Sequence, residues 1–168
     1  LLAAILDEYQ MNRIYAWIDP EEFPLSNGFQ VLQGLYAIGS GGFLGKGLGN
    51  SAQKLGTIPE AQNDMIFSII CEEGGLFGAC LVIAVFAVLI WRLMVISIHA
   101  RDLGGALIAG GIMGHIALQV ILNIAVVTGL MPTTGVTLPF ISYGGTAIVI
   151  LLAEMGIALG ISSKIRLK

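Results

Sequence analysis

Apolar residues in this chain gather into long runs, and the polar residues sit between them. The runs are Leu32 to Leu44, Met65 to Trp91, Gly104 to Thr128 and Thr146 to Ser162, and each predicts a helix. Between Leu103 and Ala153 there is no Asp, Glu, Lys or Arg. One bilayer crossing takes about 20 apolar residues, so this stretch predicts two spans with a turn inside Pro132 to Gly145. Leu32 to Leu44 is short and glycine-rich and fits a bilayer only as a snug or partly re-entrant crossing. Asp7 to Asn27 is polar, carries Pro20 and Pro24, and reads as a loop with one interfacial helix around Ile14 to Ile18. The opening Leu1 to Leu6 reads as a helix stub, so the chain is expected to be the carboxyl-terminal part of a longer polytopic protein.

Composition agrees with an all-α, polytopic transmembrane bundle forming a single membrane domain over residues 1–168. With 56% hydrophobic and 11% charged residues, there is too little polar surface to coat a soluble globule. The net charge of -3 is spread over scattered residues and forms no patch that would hold nucleic acid. Position matters more than the sum. Arg92, Arg101, Lys164, Arg166 and Lys168 fall at one set of span ends, where Arg13 is also expected, and Lys46 and Lys54 fall at the other. The positive-inside rule puts the larger group in the cytoplasm, so the loops at 45–64 and 129–145 are expected to be extracytoplasmic. Cys71 and Cys80 lie on opposite faces of one helix, which excludes a disulfide between them.

Asp64 follows the polar, proline-punctuated stretch Ile58 to Asn63 and directly precedes the longest apolar run. An unpaired charge at the bilayer centre costs about 2.5 to 3.5 kcal/mol on insertion scales, whereas water and headgroups still solvate one at the boundary. A carboxylate there stays ionised while facing lipid-borne material. Gly39 to Gly47 resembles a phosphate-binding loop only superficially, because Ser40 stands at its first glycine and Gly47 where Ser or Thr should follow the lysine. Within the spans, His115, Gln119 and Asn123 recur at every fourth position, which predicts a polar stripe turned from lipid. Glu154 falls at about the depth of His115, so the two are candidates for a buried pair; interhelical hydrogen bonding alone also accounts for the stripe. Glu72 is expected nearer to Asp64 than Glu73 is, from their angles about the helix.

Several longer motifs carry a family resemblance. Gly47-Leu48-Gly49-Asn50-Ser51, Gln53-Lys54-Leu55, Pro59-Glu60 with Asp64-Met65-Ile66-Phe67, Glu72-Glu73, Gly129 to Gly135, and Leu138 to Gly145 resemble, in order and spacing, the SEDS family of bacterial shape, elongation, division and sporulation proteins, the group of FtsW, RodA and SpoVE. The usual Glu-Glu-Leu-Gly reads Glu72-Glu73-Gly74-Gly75 here, and the common His-Thr before the aspartate reads Gln62-Asn63. The resemblance implies a ten-span fold of which this chain is about the last four crossings. It also implies a peptidoglycan glycosyltransferase of the bacterial inner (plasma) membrane that polymerises lipid II, with a class B penicillin-binding protein as partner.

By the same resemblance Asp64 is the catalytic carboxylate, and Lys54 and Glu60 line the same outer loop. The reaction joins a sugar hydroxyl to an anomeric carbon bearing a lipid pyrophosphate. It needs a base, for which Asp64 is the candidate, and positive charge for the leaving group, for which Lys46 and Lys54 are candidates. Partial desolvation at the boundary strengthens a carboxylate as a base. A divalent cation, Mg or Mn, held by Asp64 or Glu60 is a further candidate source of charge. Leu138 to Gly145 has no group that titrates near neutral pH, so the loop and its Ser142 are expected to give shape and substrate contact. Two other functions compete: a transporter flipping lipid II along His115, Gln119, Asn123 and Glu154, and a noncatalytic division scaffold.

Overall fold

The computed structural model describes residues 8–20, 27–51 and 63–165. Five helices follow in order among them: α1 (Glu8–Ile18), α2 (Asn27–Gly41), α3 (Ile66–Ile98), α4 (Leu103–Val127) and α5 (Gly145–Ser163). No strand occurs among the described residues. Three of the helices, α3, α4 and α5, are long and apolar enough to cross a membrane. The expected crossing at Leu32 to Leu44 is instead α2, whose 15 residues reach about 22 Å, short of a hydrocarbon core of about 30 Å. Its glycines limit the length of the run and, as shown below, serve a close approach.

Local chemistry explains where the helices stop. Asp102 begins α4 by accepting the Gly105 N–H at 2.9 Å, as an N-cap should. At the other end Gly129 adopts φ 75°, Leu130 N–H reaches Ala125 O at 2.8 Å and Gly129 N–H reaches Val126 O at 3.0 Å. This is the paired closure in which a left-handed glycine satisfies the last carbonyls. α3 and α4 run antiparallel, and α5 returns beside them. Ala79, Phe86 and Leu93 recur every two turns on α3 and meet Ile112, Ile116 and Val120 of α4, with Leu151 and Ala158 of α5 against the same core. The outward faces remain apolar, with Phe77, Leu81, Val85, Leu118, Ile121 and Leu152 exposed. Helices that are apolar all round suit lipid or a further protein layer rather than water.

α3 is broken. Gly75 takes φ 62° and ψ -162°, a conformation that essentially only glycine adopts, so residues 66–74 form a half-helix ahead of the long span. The break frees backbone groups that the turn after α2 satisfies. Lys46 N–H and Gly47 N–H donate to the carbonyls of Glu72 and Glu73 at 2.9 and 3.0 Å. Leu76 N–H and Phe77 N–H donate to those of Gly42 and Phe43 at 2.9 and 3.3 Å. Unpaired, each such group away from water costs free energy comparable to a lost hydrogen bond. A Cβ on Gly41, Gly45 or Gly75 would strike the backbone across this junction. Gly41 and Gly45 thus have a defined use, letting one backbone lace to another.

Asp64, the 128–144 connection and the ends of α4 and α5 beside it share one end of the bundle. Arg92, His99, Arg101 and Lys164 occupy the opposite end, around two clefts between the helix ends. Arg13 departs from expectation. Its Nη1 donates to Thr133 O at 3.0 Å, and Trp17 Nε1 of the same helix donates to Gly129 O at 2.7 Å, so α1 lies against the 129–145 loop at the Asp64 end. With no span of its own next to it among the described residues, the side taken by α1 was settled by tertiary contact and not by charge counting.

Candidate active site

Asp64 lies in the turn formed by residues 63–65, just ahead of the half-helix. The turn is held from below: Met65 is almost wholly buried, Gly34 of α2 leaves room for its methyl group, and Ser68 Oγ and N–H both donate to Met65 O, at 2.7 and 3.1 Å. Asp64 is partly exposed, and its Oδ1 accepts Gln30 Nε2 of α2 at 3.3 Å. Its main-chain carbonyl is gripped separately, by Asn123 Nδ2 of α4 at 2.8 Å. The same nitrogen donates to Val136 O at 2.7 Å, which brings the 129–145 loop to the turn. A partly exposed aspartate therefore stands at one end of the bundle, anchored by side chains of two helices.

The loop beside the Asp64 turn is shaped by its own backbone. Ser142, expected among substrate contacts, is buried; its Oγ accepts Leu138 N–H at 2.8 Å while Ser142 N–H donates to Leu138 O at 3.1 Å. Ser142 closes a tight turn, and Phe140 within it has φ 63°, a conformation that costs a bulky residue about 1 to 3 kcal/mol. Leu138 and Pro139, wholly buried, secure the turn against the core.

Glu72 faces away from the expectation. Wheel angles relative to Asp64 do not apply, because Asp64 precedes the helix. Glu72 is fully buried and accepts Lys46 Nζ at 2.6 Å and Ser51 Oγ at 2.5 Å, with Ser40 Oγ at 3.4 Å. Lys46, expected to face pyrophosphate, is committed to this pair, and its charge is balanced there. Ser51 is itself buried and precedes the stretch 52–62, so Glu72 ties down the entry to the polar loop that ends at Asp64. Lys46→Met is expected to cost about 2 kcal/mol of stability, less than the 3 to 5 for a wholly buried pair because the lysine side chain is 37% exposed. Adding Glu72→Gln should recover most of the loss, since the stranded charge is removed. A double-mutant cycle on unfolding of the full-length protein, showing coupling below the error of the measurement, would discard this assignment.

The α4 stripe divides. Asn123 is fully buried, Gln119 partly so, and His115 lies 48% exposed on its side chain. Positions four apart advance by about 40° around a helix, so three of them sweep across the boundary between core and surface. His115 Nδ1 does pair with Glu154, at 3.0 Å from Oε1, but on the outer face of this bundle and not within it. Lys54 and Glu60 lie outside the described residues, and so does the expected cation pairing of Glu60 with Asp64. Among the described residues no three His, Cys, Asp or Glu side chains converge on a cation site. Cys71 is buried and Cys80 exposed, both as free thiols. Sequence reasoning did not identify Gln30, Trp17, Ser40 or Ser51. Ser51 gave a signal as the end of the Gly47 to Ser51 motif, and Gln30 as an amide at the head of an otherwise apolar run.

The chain is similar to known proteins along nearly all of its length. The profile of the FtsW, RodA and SpoVE family, described as cell cycle proteins, matches residues 1–167. Stage V sporulation protein E of Bacillus subtilis is 49% identical over 154 residues, covering 92% of this chain and 42% of that protein. The probable peptidoglycan glycosyltransferase FtsW of Trichlorobacter lovleyi is 45% identical over 159 residues, covering 95% and 42%. The chain thus spans about two-fifths of the length of these curated relatives. A solved structure reported as a peptidoglycan synthase complex coordinating polymerization and crosslinking superposes with a TM-score of 0.74 at 30% identity, over 99% of this chain and 45% of that one. An Asp-to-Ala mutant of the Thermus thermophilus rod shape determining protein RodA gives 0.62 at 27% identity, over 84% and 48%.

Proposed function

Because this chain belongs to the FtsW, RodA and SpoVE family of cell cycle proteins, we propose that it is part of a peptidoglycan glycosyltransferase that polymerises lipid II in the bacterial inner membrane. The observation that carries the reading is the partly exposed Asp64 at the end of the bundle away from Arg92, Arg101 and Lys164. By the positive-inside rule that end is extracytoplasmic, the side on which glycan strands are built.

In this mechanism Asp64 takes the proton from a sugar hydroxyl. The hydroxyl oxygen forms the new bond to the anomeric carbon as the bond to the lipid pyrophosphate breaks, and the electron pair leaves on the phosphate oxygen. Lys54 is the residue expected to face that charge. Arg13, hydrogen-bonded to the loop at Thr133, is a second cation at the same end. A divalent cation, if the reaction uses one, would be held by Asp64 and Glu60 and would supply positive charge to the departing phosphate. The 129–145 loop is held beside the Asp64 turn through Asn123, which bonds the main chain of both. Similarity to a peptidoglycan synthase complex supports a class B penicillin-binding protein as the partner.

The polar side chains put forward for a lipid-flipping path part company: Asn123 is buried and bound to two carbonyls, Gln119 is partly buried with its Oε1 unpaired, and His115 pairs with Glu154 on the outer face. That supports the transferase over the transporter. The test is reconstitution of the full-length protein with its transpeptidase partner in vesicles, assayed for glycan polymer from lipid II. In parallel, a single cysteine placed at Thr134, exposed on the loop, is expected to react with a membrane-impermeant maleimide from the extracytoplasmic side. Labelling only from the cytoplasm would overturn the orientation, and no polymer from an active-partner complex would overturn the transferase.

A further inference from the structure

We propose that Asn123 is a positioning residue for the reaction, a buried amide that clamps the main chain carrying Asp64 to the 129–145 loop; this rests on the reading of Asp64 as the base. One nitrogen lies 2.8 Å from Asp64 O and 2.7 Å from Val136 O. Both neighbours are carbonyls, which only accept, so the group facing them is the NH2 and both of its hydrogens are used. The residue is 0% exposed, so water does not substitute for either bond. Asp64 stands in a turn ahead of α3 and Val136 in a segment without regular structure; neither has a helical ladder to hold it. α4, packed along α3 through Ile112, Ile116 and Val120, is the rigid body to which one side chain ties both segments.

The consequence is kinetic. A shift of about 1 Å in a reacting group costs on the order of 100-fold in rate, and releasing the clamp frees the backbone of the base without touching its carboxylate. Asn123→Asp keeps the volume but offers at most one donor, when protonated; Asn123→Ser keeps one donor in a smaller side chain. Both are to be made in the full-length protein with its transpeptidase partner. Lipid II polymerisation should show kcat lowered by about 10- to 100-fold with KM changed by less than about 3-fold. Hydrogen exchange, read on the same proteins, should quicken in peptides covering 63–67 and 133–138 and not along the middle of α4. Wild-type kcat, or unchanged exchange in those two segments, overturns the proposal. So does exchange that quickens throughout α4, which would mark a general packing role. Activity in an Asp64→Asn protein is a separate failure: it removes the base, and the proposal with it, whatever exchange shows at Asn123.

Discussion

Asp64→Asn is expected to abolish polymerisation of lipid II by the full-length protein while leaving its membrane insertion and partner binding unchanged. The substitution keeps the volume and removes the charge and the capacity to take a proton. Loss of a positioned general base costs about 100- to 10,000-fold, below the detection of an ordinary polymer gel. Stability should hold, because the residue is partly exposed and Gln30 can still donate to an amide oxygen. The Asn123 grip is on the main chain and is not altered. Polymer at the native rate from this variant would remove Asp64 from the chemistry.

The second large effect concerns the break in α3. Gly75→Ala is expected to destabilise the protein by at least about 3 kcal/mol, from a backbone conformation reserved for glycine together with a Cβ driven into Phe43 and Gly45. Moving either strand to make room also endangers the hydrogen bonds of Lys46, Gly47, Leu76 and Phe77 that close the break. Gly74→Ala is the control. Its Cβ meets nothing within 4 Å, its backbone is ordinary, and alanine should stabilise a helix there by up to about 1 kcal/mol. Thermal unfolding of the two purified full-length variants should therefore shift in opposite directions. Equal shifts would mean that the break is not fixed by Gly75. At Gly74, where the family motif usually has Leu, a Cβ would meet no atom of another element within 4 Å among the described residues.

The junction matters for function because of what it carries. The half-helix bears Asp64 at its head and Glu72 near its foot, and the turn that laces the break also delivers Lys46 and Ser51 to Glu72. Loosening the junction therefore disturbs both ends of the polar loop at once. A straight helix from Ile66 to Ile98 would run about 50 Å, far beyond one crossing, so the break reconciles the length of the apolar run with the thickness of a bilayer.

Read alone, the residues determined that the chain is a helical membrane protein, where three of its spans lie, which family its motifs match, and which carboxylate directly precedes the longest apolar run. These are local or compositional matters: length of an apolar run, an acidic residue at its edge. Tertiary structure decided the rest. It turned Lys46 from a free cation into the partner of Glu72 and Ser142 from a substrate contact into the closure of a turn. It brought α1 to the Asp64 end and set His115 outward while Asn123 went inward. Each depends on which backbone approaches which, across separations such as the 59 residues between Asp64 and Asn123. No run of neighbours encodes such a distance, because a buried donor takes whichever carbonyl the packing of the helices presents to it.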